Sequence, residues 1–407
     1  MRVTFLHPDL GIGGAERLVV DAAVALQKKG HQVNVVTAHH DASHSFPETN
    51  DGTLKVQVVG DWLPRSVFNK FYAFFAYLRM VVAAFYLCCT QAPDVIFCDQ
   101  ISACIPFIRI LRPRVKILFY CHFPDQLLTK RETLLKKIYR YPIDKFEEWT
   151  TGLAHCVCVN SHFTANTFRE TFGSLANVQL DVLFPTLNTE LFDDTDESKY
   201  RLPSDLLPQS AKVIFLSLNR FERKKNIALA IHAFDELRTK VSTGVFENCH
   251  LVIAGGYDSR VQENVDHFKE LSELADLDLN LDSRAITFVK SPDDNIKRAL
   301  MEAATAVIYT PSNEHFGIVP IEAMYASRPV IAVNSGGPKE TVVNEKTGFL
   351  TEPTPADFAQ SMLRLVNDPD LARRMGRAGR TRVIDNFVFD SFAVHLDDLV
   401  KRMCSVQ

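Results

Sequence analysis

Glu314-His315-Phe316-Gly317-Ile318-Val319-Pro320-Ile321-Glu322 lies between two apolar runs, and the reading of those runs decides the fold. Upstream, Ala306-Val307-Ile308-Tyr309-Thr310 is a short apolar and β-branched stretch stopped by Pro311-Ser312, as in a buried strand. Downstream, residues 318–326 read as a helix with Pro320 in the first turn, where proline's fixed φ is tolerated. The spacing therefore predicts Glu314 in a loop at the carboxyl end of a strand and Glu322 on the helix that follows. Strand ends of this kind line ligand crevices in open α/β sheets. A helix start offers unpaired N–H groups to phosphate, and carboxylates accept hydrogen bonds from sugar hydroxyls. The pairing points to a phosphorylated, hydroxyl-rich ligand, although a solvated loop glutamate and a helix-capping glutamate satisfy the same spacing.

Working outward, strand and helix alternate through the whole chain. Val3-Thr4-Phe5-Leu6 leads into the glycine loop Gly11-Ile12-Gly13-Gly14-Ala15-Glu16 and an amphipathic helix to about Lys29. Gly30 closes that helix, and strands are predicted at 33–37, 94–98, 115–120 and 156–159. A second series runs through 213–218, 250–254, 286–289, 306–309 and 330–333. Such alternation predicts α/β architecture with parallel sheets flanked by helices, built twice. A chain of 407 residues also exceeds what one core usually serves. The expected division is a first domain over residues 1–190, a second over 205–385, and a C-terminal helix over 386–407 returning to the first. Residues 185–208, rich in polar residues and aspartate, read as the linker.

Bulk properties exclude several function classes. A net charge of −4 gives no electrostatic case for nucleic acid. Nine cysteines without a CxxC pair or Cys/His ladder argue against structural zinc and fit reduced core thiols. Cys156 and Cys158, two apart on a strand, are expected to point the same way. Asn-x-Ser/Thr sequons are absent, and residues 2–7 are too short for the apolar stretch of a cleavable leader.

Residues 71–89 are nearly continuous apolar sequence interrupted only by Arg79, long enough to span a bilayer. A central arginine costs ~3 kcal/mol there on insertion scales, and a span would separate the first strands from their sheet. A spanning helix, a membrane-dipping segment near 67–90 and a buried helix all remain open. Beyond it lies a basic belt of Arg112, Arg114, Lys116, Lys130, Arg131, Lys136, Lys137 and Arg140, with Tyr139 and Tyr141 interleaved. It suits an anionic surface at about 1 kcal/mol per cation, or a solvated face balanced by Glu147 and Glu148.

Several strand ends carry candidate chemistry. Gly11-x-Gly13-Gly14 misses the dinucleotide fingerprint because position 16 is glutamate, but its backbone can approach a phosphate or sugar. His122 follows an apolar strand and suits acid–base or hydroxyl-orienting work, or a structural role. Arg220 and Lys225 follow the strand at 213–218, where cations at a helix start oppose the dipole unless an anion binds. Lys224 and Arg223 are close by, so which lysine points inward stays open. Gly255-Gly256 and Ser335-Gly336-Gly337-Pro338 supply small-residue turns at further strand ends.

Together these pieces resemble the retaining glycosyltransferases of the GT-B type, family four. The matching marks are Gly11-x-Gly13-Gly14-Ala15-Glu16-Arg17, Arg220-x4-Lys225, Leu251-Val252-Ile253-Ala254-Gly255-Gly256, Glu314-x7-Glu322 and Lys346-Thr347-Gly348-Phe349-Leu350. The resemblance implies two Rossmann-like domains facing each other across a cleft and no required cofactor or metal. Three stretches are more specific: His7-Pro8-Asp9-Leu10-Gly11-Ile12-Gly13-Gly14, Tyr120-Cys121-His122-Phe123-Pro124-Asp125 and Pro311-Ser312-Asn313-Glu314-His315-Phe316-Gly317. These are similar to the mannosyltransferases that extend the dolichol-linked N-glycan precursor at the cytosolic face of the endoplasmic reticulum. That similarity implies GDP-mannose as donor and a dolichol-diphosphate oligosaccharide as acceptor. It also implies a membrane surface and other early mannosyltransferases as partners. By the resemblance Arg220 and Lys225 hold the donor diphosphate, Glu322 the ribose, and Glu314 the transferred sugar beside the Phe316 and Gly317 backbone. His122 lies near the sugar, and Gly13 and Gly14 line the cleft, with Gly255 in the nucleotide cradle. Thr186-Leu187-Asn188 after Pro185 departs from the Asn-Gly-Val-Asp usual in the family. A UDP-sugar transferase with another lipid or soluble acceptor is the alternative.

Overall fold

The computed structural model describes residues 1–66, 71–129, 134–194, 196 and 199–405. Two compact units divide the chain: Met1–Thr186 with Phe389–Gln407, and Leu187–Val388.

The first unit is built on β1 (Arg2–His7), β2 (Gln32–Thr37), β3 (Val56–Val58), β4 (Val95–Asp99), β5 (Lys116–Cys121), β6 (Cys156–Val159) and β7 (Leu180–Val182). They form one sheet in the order β3-β2-β1-β4-β5-β6-β7, and every neighbouring pair is parallel. The order reverses between β1 and β4, which opens a crevice at their carboxyl ends. The edge strands β3 and β7 escape sequence reading: three residues of mixed polarity carry too little pattern.

Helix α1 (Gly14–Lys28) begins after Gly13 and buries Leu18, Val19, Ala22, Ala23 and Leu26. It ends where Gly30 turns back, its N–H donating to the Gln27 carbonyl while His31 N–H reaches Leu26. The C-terminal helix Phe389–Ser405 places Phe392, Leu396 and Val400 in the same core, and Asp397 lies 2.9 Å from His31 Nε2.

Helix α2 (Tyr72–Thr90) covers the opposite sheet face with Met80, Ala83, Ala84, Leu87 and Cys88. Arg79, costly in a bilayer, is buried here and satisfied: Nε donates to the Leu63 carbonyl, and Nη2 to the carbonyl and carboxylate of Asp61. Although α2 is long and apolar enough to cross a membrane, one side of it packs on the sheet, while Tyr72, Phe74 and Phe85 are exposed.

Beside it lie α3 (Ile105–Leu111), α4 (Asp125–Leu128) and α5 (Leu134–Thr151). Helix α5 is inside out. Its inward side carries buried Arg140, Asp144, Glu147, Glu148, Thr150 and Thr151, whereas Leu134, Ile138, Tyr141, Phe146 and Trp149 are exposed. The inward charges are satisfied, Arg140 by Asp125 and Asp144 and Glu147 by the Asp125 and Gln126 N–H groups.

This arrangement corrects part of the basic belt. Arg140 is interior, and Arg112 donates to the Cys88 and Gln91 carbonyls at the end of α2. Lys130 and Arg131 lie outside the described residues. Cys156 and Cys158 do point the same way, with sulfurs 3.8 Å apart.

The second unit contains β8 (Val213–Leu218), β9 (Cys249–Gly255), β10 (Ile286–Lys290), β11 (Ala306–Tyr309), β12 (Val330–Val333) and β13 (Gly348–Thr351). Their order is β10-β9-β8-β11-β12-β13, again parallel throughout, with the reversal between β8 and β11. Residues from Leu187 onward, read as linker, belong to this unit: Phe192 stacks edge-on with Tyr325, and Asp193 accepts from the Tyr325 hydroxyl.

Candidate active site

Both reversal points collect the residues that the sequence singles out. In the second unit, β8 delivers Arg220 and Lys225, and β11 delivers Glu314. Lys225 Nζ lies 2.7 Å from Glu314 Oε1. The Lys225 side chain is 12% exposed, against 64% for Lys224, so Lys225 is the inward lysine. Its backbone carbonyl accepts from Thr310 Oγ1 at 2.7 Å, which ties the β8 turn to the end of β11. Glu314 is also approached by the Tyr309 hydroxyl at 3.4 Å.

Arg220 stands apart from that pair. It is largely exposed and bonds Glu222 at 3.1 Å, a geometry that leaves donors of its guanidinium fork for an incoming anion.

Backbone fit explains the glycines behind these side chains. Gly255 has φ +152, and a Cβ there would fall 1.8 Å from the Asn219 carbonyl oxygen, so the β9 turn can abut the β8 turn only without a side chain. Gly336, at φ +61, would likewise put a Cβ 2.4 Å from the Glu314 carbonyl oxygen. Gly337 N–H donates to that oxygen at 2.7 Å, and Asn313 N–H donates to Ser335 Oγ at 2.9 Å. The Glu314 loop is thus held from behind by the β12 turn. Phe316 is buried with its ring 6.1 Å from that of Phe387, and Gly317 opens the helix Ile318–Tyr325.

Glu322 rises from that helix. Its Oε1 lies 2.6 Å from Lys297 Nζ, and its Oε2 is buried without a hydrogen-bond partner among the described residues. An unsatisfied buried carboxylate oxygen costs about 1–3 kcal/mol or more, a cost that a ligand hydroxyl donating to it removes. Lys297 was not among the sequence candidates. It lies 25 residues from Glu322 on the helix Asp294–Ala303, and no local spacing links the two.

In the first unit, Gly13 and Gly14 start α1 beyond β1, and His122 directly follows β5. His122 Nε2 lies 2.8 Å from Asp99 Oδ1, and the His122 carbonyl accepts from Asn160 Nδ2 at 3.0 Å. Asp99 and His7 are further polar residues that sequence reading passed over. Each ends an apolar strand, at β4 and β1, and a charged or titratable residue ending a buried strand was the available signal.

The second unit thus presents cations and carboxylates suited to a nucleoside diphosphate and sugar hydroxyls. No cluster of three or more metal-ligating side chains occurs among the described residues.

Comparison with known proteins agrees with this division. The family model for glycosyl transferases group 1 matches residues 200–382, and the model for glycosyltransferase family 4 matches residues 12–191. The chain is 50% identical over 406 residues to the alpha-1,3/1,6-mannosyltransferase ALG2 of Homo sapiens, covering 98% of this chain and 96% of that one. Identity is 48% to the protein of the same name from Mus musculus, over 98% and 96%. It is 46% to that from Rhizomucor pusillus, over 98% and 91%. Among solved structures, the sucrose-phosphate synthase of Thermosynechococcus elongatus shares the fold with TM-score 0.76 and 22% identity over 100% of both chains. A glycosyltransferase from Rickettsia africae gives 0.72 and 19%, over 100% of this chain and 99% of that one.

Proposed function

The chain belongs to the family of the α-1,3/1,6-mannosyltransferases, and from that premise we propose that it transfers mannose with retention from GDP-mannose to a dolichol-diphosphate-linked oligosaccharide. It adds the second and third mannoses of the N-glycan precursor, α-1,3 then α-1,6, at the cytosolic face of the endoplasmic reticulum. The structural observation that carries the reading is the Lys225–Glu314 pair at the carboxyl ends of β8 and β11, together with the Lys297–Glu322 pair on the helices Asp294–Ala303 and Ile318–Tyr325.

The chemistry follows from charge. Breaking the sugar–phosphate bond leaves an oxocarbenium-like sugar and a phosphate anion. The ammonium of Lys225 spends one donor on Glu314 and has two more for phosphate oxygens. Arg220 adds a second cation at the same strand end. Preorganised charges of this kind act where negative charge develops and need no metal ion. Glu322 Oε2 takes a ribose hydroxyl, while Lys297 fixes the carboxylate that receives it. Glu314 meets a hydroxyl of the mannose. With these carboxylates engaged in orienting hydroxyls, displacement proceeds on the face the leaving group vacates, within an ion pair.

The lipid acceptor suits the outward side of α5. Arg140 and three carboxylates face inward, whereas Leu134, Ile138, Tyr141 and Trp149 face outward beside exposed Lys136, Lys137 and Lys145, a mix of apolar and cationic side chains suited to an anionic lipid surface. Exposed Tyr72, Phe74 and Phe85 of α2 extend the apolar side, and Tyr and Trp favour the headgroup boundary. The test supplies purified protein with GDP-mannose and a lipid-linked chitobiose bearing one mannose. Two successive additions support the reading, and transfer from a UDP-sugar alone refutes it.

A further inference from the structure

Asp99, fully buried at the end of β4, sits between two imidazoles. Its Oδ2 is 2.9 Å from His7 Nδ1, and its Oδ1 is 2.8 Å from His122 Nε2. His7 and Asp99 end β1 and β4, and His122 directly follows β5; the three strands are adjacent in the sheet. The other ring nitrogen of His7, Nε2, is 2.9 Å from the Asp9 carbonyl oxygen.

A carbonyl oxygen only accepts, so His7 Nε2 carries a proton. A neutral ring would then aim a bare Nδ1 at the Asp99 carboxylate, placing two acceptors in contact inside the protein. Two acceptors around one ring require two N–H donors, and only the imidazolium has them. The electrostatics agree. Burial disfavours charge on His7, but the bond to Asp99 outweighs it and raises the pKa above the ordinary histidine value. Burial likewise opposes ionised Asp99, but His122 and His7 hold its pKa below the ordinary range. The remaining titratable groups do not change the balance. Glu16 of α1 adds negative charge that favours the cation on His7. Burial pushes Tyr120 and Cys121 well up, and the Cys104 contact together with burial does the same for Cys98, so all three stay neutral.

We propose that His7 is a buried imidazolium that offsets Asp99, so that Asp99 holds His122 as the neutral tautomer protonated on Nε2 and leaves Nδ1 to accept a hydrogen bond from a substrate hydroxyl. His7 and Asp99 are positioning residues that act through His122. Without the cation, Asp99 is an uncompensated buried carboxylate, and His122 becomes the nearest group able to neutralise it by taking a proton on Nδ1. The acceptor is then converted into a donor. The proposal rests on the assignment of His122 to the sugar side in the transfer reaction.

The test uses the full chain with 15N-labelled histidine rings, assigned with His7→Gln and His122→Gln variants. Near neutral pH, His7 should show two protonated ring nitrogens and His122 one protonated and one bare. A neutral His7, or a doubly protonated His122, overturns the assignment without any use of substrate. In the transfer assay, His7→Gln should move the acid limb of kcat/KM to higher pH by about one unit. Adding Asp99→Asn, which removes the stranded charge, should move it back. A uniform loss at every pH with no rescue by Asp99→Asn is the mark of a merely structural role and refutes the proposal. Absence of transfer by the unaltered protein counts against the mannosyltransferase reading alone, because the ring-nitrogen signals are read independently.

Discussion

At the scale of single residues, the second unit's site consists of two lysine–glutamate pairs with different jobs. In the proposed mechanism, Lys225 acts on charge that appears as the sugar–phosphate bond breaks. Lys225→Ala should therefore lower kcat and kcat/KM together, by at least tenfold, with the melting temperature little changed. In the same proposal, Lys297 acts through Glu322 on the nucleoside, which is bound alike before and during reaction. Lys297→Ala should raise KM for the donor severalfold and leave kcat nearly intact, a split that steady-state kinetics reads directly. Equal loss of kcat in both variants would contradict this division. The placement of Glu314, Glu322, Arg220 and Lys225 was legible in sequence, because they stand at fixed offsets from strands and helix starts. Lys297, Asp99 and His7 were not, since each finds its partner across neighbouring elements at separations of 25, 23 and 92 residues. Nor could sequence rank Lys225 over Lys224. Only the turn Arg223–Lys225, closed by Asn226 at φ +49, directs one lysine inward and the other out.

At the scale of elements, α5 has the least ordinary design. If its outward face meets lipid, Ile138→Glu with Trp149→Glu should cut sedimentation with vesicles containing anionic lipid. Both positions are exposed, so stability should shift by only about 0.5 kcal/mol each. Undiminished vesicle binding would remove α5 from the contact. The inward face makes a separate prediction. Burial, together with Asp125, pushes the Glu147 carboxyl up to about 7, against the Asp125 and Gln126 N–H bonds that pull it down. A carboxyl raised in the folded state binds more protons than in the unfolded chain, so stability falls as pH rises from about 4.5 to about 7. In Glu147→Gln that slope should flatten, as thermal melts across the range would show. An unchanged slope would assign the pH dependence to other groups. Sequence showed α5 as a charged stretch with aromatics, but periodicity alone cannot tell which side of an amphipathic helix faces the protein. Long central strands were readable for the opposite reason: continuous apolar runs have one stable place, inside a parallel sheet. The three-residue edges β3 and β7 carry no such signal.

At the scale of the whole molecule, one parallel α/β plan occurs twice, and each sheet reverses its strand order where candidate residues gather. The doubling was legible because each half repeats the strand–helix alternation at domain length. The boundary was less so. Residues 187–208 are polar enough to read as linker, yet Phe192 and Asp193 bind Tyr325 by contacts that no local pattern announces. If, as proposed, cations of β8 take the part that a metal ion plays in other transferases, EDTA should leave transfer at most of its initial rate; loss restored by a divalent ion would refute that. The most direct test of the central claim compares the unaltered chain with Lys225→Ala on GDP-mannose and lipid-linked chitobiose carrying one mannose, with linkage analysis of the products. The account predicts an α-1,3 and then an α-1,6 mannose from the unaltered chain, and at least tenfold slower formation of both from the variant. Equal rates for the two proteins, or no mannose added by the unaltered chain, would contradict it.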